Sequence, residues 1–183
     1  MTYSEAMHRL FVAIRPPGPV RARLLDLMGG VAGARWRTDD QLHLTLRFIG
    51  EVDRHLARDV DAALSGVHHP SFEIEVNGLG VFDRRGEPAT LWAGLSPVEP
   101  LRALHKKIDQ ALVRVGLAPD RRAYTPHVTL ARLPRGAGPV GPLVEQSGGI
   151  GSPPFAVRDF RLYESRLTPE GPAYTIVERY SLG

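Results

Sequence analysis

Three observations in the 183-residue chain predict a mixed helix-and-strand fold of two similar halves. One short motif occurs twice, as His43-Leu44-Thr45-Leu46 and as His127-Val128-Thr129-Leu130. Each copy closes the same run of elements: a strand (RLFVAI or TLWAGL), a helix, and then the His-x-Thr strand. A hydrophobic content of 43% allows a sizeable core, in one globular domain or one domain made of two small lobes. Halves related by an approximate two-fold axis would set the two motifs opposite each other across a cleft.

The elements follow from the pattern of apolar residues. Residues 9–15 alternate, with Leu10, Val12 and Ile14 on one side and Phe11 and Ala13 on the other, and prolines at 16, 17 and 19 end the strand. A helix is expected over 19–28, stopped by Gly29-Gly30. Trp36 lies in a short approach to the first motif strand, 41–50. Asp53 is the expected N-cap of a helix reaching Leu64, since Leu56, Val60 and Leu64 share a stripe. Residues 72–76 alternate as a strand, which 78–82 extend or bulge; 83–88 form a charged turn and 90–95 the next strand. The helix over 99–115 buries Leu101, Leu104, Ile108, Ala111, Leu112 and Val115, and Gly116 stops it. Residues 135–154, rich in Gly and Pro, read as a surface loop, and strands at 156–163 and 174–180 are joined by a turn at 168–172.

Composition excludes several chemistries. With no Cys there are no disulfides, thiolate nucleophiles or Cys-type zinc sites. The first 17 residues do not form a signal peptide and no 18-residue apolar run exists, so a cytoplasmic protein is expected, with nothing to suggest more than a monomer. Net charge is +3, yet the pI is about 9.6, because Lys106 and Lys107 are the only lysines among 23 basic residues. The arginine excess fits phosphate binding and equally fits a GC-rich coding sequence. The G-x-G-x-x-G at 136–141 is not expected to bind a dinucleotide, because such a loop opens a helix and Pro139 with Gly141-Pro142 does not. No P-loop, nucleophile elbow or H-E-x-x-H motif occurs, and His68-His69 reads as a polar loop pair. No metal and no cofactor is required.

In a strand, residues i and i+2 share a face, so His43 and Thr45 point one way and so do His127 and Thr129. Two imidazoles across a cleft suit phosphoryl transfer. With ordinary pKa values near 6.5, one is neutral and takes a proton from water while the other is protonated and gives one to the leaving oxygen. Thr45 and Thr129 would donate to the non-bridging oxygens, and an arginine would balance the developing charge. Arg47 has the strand parity of His43. Phe11 either faces the groove and contacts a base or packs in the core; Tyr124 and Trp36, beside the motifs, carry the same two readings. His8, His55 and His105 read as surface residues.

The pair HLTLRFIG and PHVTLAR, with RLFVAI, LWAGL, FRLYESRL and YTIVERYSL around them, resembles the two-histidine phosphoesterase superfamily. Within it the resemblance is to the RNA 2′,3′-cyclic phosphodiesterases, also called 2′-5′ RNA ligases. It covers nearly the whole chain. It implies a bilobal α+β fold, with two similar antiparallel-sheet lobes and outer helices around a central groove. It also implies hydrolysis of a terminal 2′,3′-cyclic phosphate on RNA 3′ ends, or on small cyclic nucleotides, to a 2′-phosphate, with reverse 2′-5′ ligation as an accompanying activity. The resemblance makes His43 the proton donor, His127 the acceptor, and Thr45, Thr129 and Arg132 phosphate ligands. Arg132 has the wrong strand parity for that role unless the strand bends or ends. The alternatives are a superfamily member acting on 2′-5′ oligonucleotides or ADP-ribose cyclic phosphate, and an RNA-binding module without turnover.

Overall fold

The computed structural model describes residues 7–146, 149–169 and 171–183. Residues 1–6 of the stretch read above for a targeting segment, residues 147–148 of the expected loop and residue 170 of the last turn therefore lie outside the described residues. Nine strands form one sheet in which every recorded pairing is antiparallel. They are β1 (His8–Ile14), β2 (Arg35–Trp36), β3 (Leu44–Val52), β4 (Phe72–Arg84), β5 (Glu87–Ser96), β6 (His127–Arg132), β7 (Phe155–Val157), β8 (Asp159–Thr168) and β9 (Gly171–Ser181). Their spatial order is β7-β4-β5-β6-β3-β1-β8-β9, with β2 paired to β6.

That order is a duplication. Reading outward from the middle, β6-β5-β4-β7 mirrors β3-β1-β8-β9. The halves meet at β3 and β6, where a single residue pair, Leu44 with Val128, is recorded. In each half the motif strand lies beside the strand that precedes its helix: α1 (Gly18–Asp26) between β1 and β3, and α3 (Glu99–Arg114) between β5 and β6. The two expected lobes are the two halves of this sheet, joined at that one pair.

Local chemistry explains the elements. Asp53 accepts the Leu56 N–H at 2.8 Å and caps α2 (Arg54–Ser65), which buries Ala57, Val60 and Leu64. The stripe of α3 is buried as expected, from Leu101 to Leu112. The strand at 72–76 continues unbroken to Arg84, and Gly78, at φ +74°, supplies the left-handed residue at which its pairing with β5 shifts. The loop over 135–154 is corrected by a short helix, α4 (Gly141–Gln146), that opens directly after the Gly-rich run. Pro142 sits in its first turn, where a missing N–H costs nothing. Gly138 N–H donates to the Ala32 carbonyl at 2.8 Å, and none of residues 136–141 lines the groove described below.

The core lies on one face of the sheet, where Leu10, Val12, Leu44, Leu46, Val128 and Leu130 pack with the helices. The opposite face of β1 carries a separate small cluster, Phe11, Ala13 and Tyr163, with Tyr174 against it. Among the described residues no helix is long and apolar enough to cross a membrane.

Candidate active site

The pair Leu44–Val128 sets the register at the seam between the halves. One residue to either side, His43 comes opposite Thr129 and Thr45 opposite His127. All four side chains line one groove of about 500 Å³, together with Arg37 and Arg132. His43 stands one residue before β3, just after a single 3-10 turn at Asp39–Gln41. Leu42, Leu44 and Leu46 fall into the core while 43 and 45 face out, so the expected alternation holds across that boundary.

Each imidazole is held by backbone two residues upstream. The His127 Nδ1 lies 2.7 Å from the Thr125 carbonyl, which can only accept, so Nδ1 carries the proton and Nε2 is left for the groove. The backbone of Gln41 holds His43 in the same way. Aromatic rings enclose both. Phe11 and Tyr174 lie 4.9 and 5.1 Å from His43, and Phe82 and Trp92 lie 4.9 and 6.0 Å from His127. Burial, with the charge of Arg37 next, lowers the His43 pKa to about 4. Burial lowers His127 as well; its bond to Thr125 opposes this and the charge of Arg132 adds to it. Both imidazoles are therefore neutral in the free site at pH 7.

The parity of Arg132 is resolved by a bulge. Thr129 pairs with Trp92 and Ala131 with Leu91, so Leu130 has no partner on β5. Leu130 and Ala131 are both buried and the strand phase is reset, which turns Arg132 to the side of His127 and Thr129. Its Nη1 donates to Thr90 Oγ1 at 2.9 Å. The same device occurs in β3. Thr45 pairs with Ala13 and Arg47 with Val12, leaving Leu46 extra. There the reset turns Phe48 into the groove and Arg47 away from it.

Arg47 is accordingly not a groove residue. Its guanidinium pairs with Asp109 of α3 at 2.8 Å and donates to the carbonyls of Phe48 and Ala118. Tyr124 is also placed elsewhere: its hydroxyl donates to the Thr45 carbonyl at 3.1 Å and its ring stacks on His105 at 4.2 Å, so it braces β3 from behind. Burial raises its pKa. Phe11 lines the groove floor at 3% exposure, stacked on Tyr163 beneath His43. Trp36 packs against the core, paired to Ala131. Two histidines read as surface residues are corrected. His8 is buried, with Nδ1 3.0 Å from Glu164, and His105 is half-buried under Tyr124.

Sequence reasoning missed Arg37, Phe48 and Tyr174. Arg37 reaches the groove because β2 crosses to the other half, where Arg37 N–H donates to the Leu130 carbonyl at 2.8 Å. Burial lowers its pKa, the Tyr174 oxygen opposes this and the charge of Arg132 adds to it. One signal was available: an arginine precedes each motif by five or six residues, Arg37 before His43 and Arg122 before His127, and both line the groove. The β8–β9 hairpin forms one wall and is tied to the first motif by Gln41 Nε2, which donates to the Pro172 carbonyl at 3.0 Å. Among the described residues no carboxylate lines this groove and no three His, Asp or Glu side chains gather as a metal-binding group. The arrangement offers two imidazoles, the hydroxyls of Thr45 and Thr129, and the guanidiniums of Arg37 and Arg132 in a groove that no carboxylate among the described residues lines, a site for an anion.

Comparison with known proteins agrees with this fold. Residues 16–165 match the family model described as the 2′-5′ RNA ligase superfamily. An RNA 2′,3′-cyclic phosphodiesterase of Aeropyrum pernix is 35% identical over 140 residues, 74% of this chain and 79% of the relative. One of Archaeoglobus fulgidus is 32% identical over 169 residues, 91% and 96%. Among solved structures, E. coli LigT complexed with 3′-AMP superposes with a TM-score of 0.77 at 25% identity, covering 97% of this chain and 99% of LigT. The duplicated sheet, the paired His-x-Thr motifs and these matches together place the chain in the 2′-5′ RNA ligase superfamily.

Proposed function

We propose that the protein hydrolyses the terminal 2′,3′-cyclic phosphate of an RNA 3′ end to a 2′-phosphomonoester. The observation that carries this reading is the register at the β3–β6 seam, which brings a matched His and Thr from each half to one groove, where a single phosphate would meet all four. The names of the relatives support the substrate class. His127, with Nε2 free as an acceptor, takes a proton from the attacking water. His43 gives a proton to the departing 3′ oxygen. Thr45 and Thr129 donate to the non-bridging oxygens, and Arg37 and Arg132 balance the charge that builds in the transition state. The residues so arranged need no cofactor for these steps.

The free site must gain a proton to work. With His43 at about 4, protonating it at pH 7 costs about 4 kcal/mol. The phosphate anion supplies the opposing charge, so substrate binding itself draws the proton onto the imidazole. The enzyme is thereby armed by its substrate.

The test is turnover of 2′,3′-cyclic AMP in excess EDTA, with the position of the product phosphate read by phosphorus NMR. A 2′-phosphate is the expected product. A 3′-phosphate would reverse the leaving group and move the chain to a different subfamily; dependence on added metal would overturn the His/His scheme.

A further inference from the structure

A second cavity of about 480 Å³ adjoins the groove and shares Arg132 with it. Five arginines line it: Arg35, Arg84, Arg85, Arg132 and Arg135. The only carboxylate there among the described residues is Glu87, which meets Arg135 at 3.5 Å with both side chains largely in solvent. Such a pair neutralises little. Arg35 and Arg132 stand directly opposite each other on β2 and β6, a like-charge cross-strand pair that is unfavourable without an anion. Arg85 sits at the β4–β5 turn with φ +57°, a left-handed conformation that arginine does not favour and that Asn or Gly would take more readily. Charge has thus been gathered here against both electrostatic and backbone preference, at the mouth of the anion site.

We propose that this cavity binds the phosphodiesters of a single RNA strand next to the reacting end, so that the protein prefers RNA ends over cyclic mononucleotides. The inference rests on the function proposed above. Arg132 belongs to both cavities, so a strand whose terminal phosphate lies between His43 and His127 passes it on the way out. The guanidiniums come from three separate stretches of chain: Arg35 on β2, the β4–β5 turn, and the end of β6. That spread follows a polyanion, and the planar fork of arginine matches successive phosphates without reading sequence. A nucleoside triphosphate shares the chemistry and is separated from RNA by the test.

The experiment pairs the wild type with the double variant Arg84→Gln/Arg85→Asn, whose residues take no part in the groove; Asn suits the left-handed turn. Two measurements are made across a range of salt. One is kcat/KM for 2′,3′-cyclic AMP and for an oligoribonucleotide ending in a 2′,3′-cyclic phosphate. The other is anisotropy of a labelled oligoribonucleotide ending in a 2′-phosphate. The expected result is unchanged turnover of the mononucleotide and a roughly ten-fold loss of kcat/KM on the oligonucleotide. The salt slope for RNA binding should become shallower by about 1.4, the share of two phosphate contacts on a single strand. Equal rates on the oligonucleotide for both proteins would overturn the inference and leave the proposed function standing. RNA binding lost in the variant, with no turnover of either substrate by the wild type, would sink the proposed function and with it the preference for reacting ends, while confirming the cavity as an RNA-binding surface. If the substitutions relieve inhibition by ATP but leave RNA binding untouched, the occupant is a triphosphate and the inference fails.

Discussion

His43→Gln offers a test of how deeply the first motif is buried. In the unfolded chain an imidazole titrates near 6.5. In the folded protein burial, then the Arg37 charge, brings His43 to about 4. Between those values the unfolded state binds a proton that the folded state refuses, so stability falls as pH drops from about 6.5 towards about 4. Below about 4 both states are protonated and the loss stops growing. At pH 4.5 this one group destabilises the fold by about 2.5 kcal/mol relative to pH 7.5. Glutamine keeps an amide near the Gln41 backbone but binds no proton, so the variant escapes that loss.

The assay is urea unfolding of both proteins at pH 7.5 and pH 4.5, followed by circular dichroism. The other titrating groups are shared and cancel in the difference between the two differences, apart from the weaker charge coupling of His43 to His127. The wild type should lose about 2.5 kcal/mol more than the variant. Equal losses would refute the reasoning: His43 would then be solvated, and the enclosure by Phe11 and Tyr174 would not govern its charge.

Replacing either His43 or His127 with alanine should lower kcat by about 10² to 10⁴ without unfolding the protein, as read by turnover of 2′,3′-cyclic AMP and by circular dichroism. The kcat/KM profile of the wild type should peak on the acid side of 6.5, since both free-site imidazoles are lowered, and the kcat profile should lie at higher pH because bound phosphate raises them. Arg47→Ala leaves Asp109 without its largely buried partner and should cost about 3 kcal/mol of stability in urea while kcat/KM stays within about two-fold; a ten-fold loss of kcat/KM with stability intact would put Arg47 back at the substrate. Tyr124→Phe removes one hydrogen bond to the Thr45 carbonyl and should cost about 1 kcal/mol, seen as a lower urea midpoint with little change in turnover.

Much of the fold was legible because each element announced itself locally: alternation in β1, the Asp53 cap of α2, the apolar stripe of α3. The duplication was legible because two histidines, two threonines and their leucines recur in one spacing. What failed was strict two-residue periodicity beyond Thr45 and Thr129. It favoured Arg47 for the groove and left Arg132 at odds with its strand, and the structure reverses both for one reason. A bulge adds a residue to each motif strand, and after it every side chain changes face. A bulge is written in the pairing with a neighbouring strand, which a single run of residues does not display. The repeat did hold a clue, because aligning the two motifs sets Phe48 against Arg132 and Arg47 against Ala131, a residue buried in the core. Two strands with the same bulge must send equivalent positions the same way, so the residue facing the groove is the fifth after each histidine. In one half it is Arg132, on the groove with His127 and Thr129. In the other it is a phenylalanine left 55% exposed on the groove wall. The symmetric fold thus sets His43 and His127 on one groove, and the asymmetry at those two positions puts a guanidinium on the groove in one half and a phenyl ring in the other.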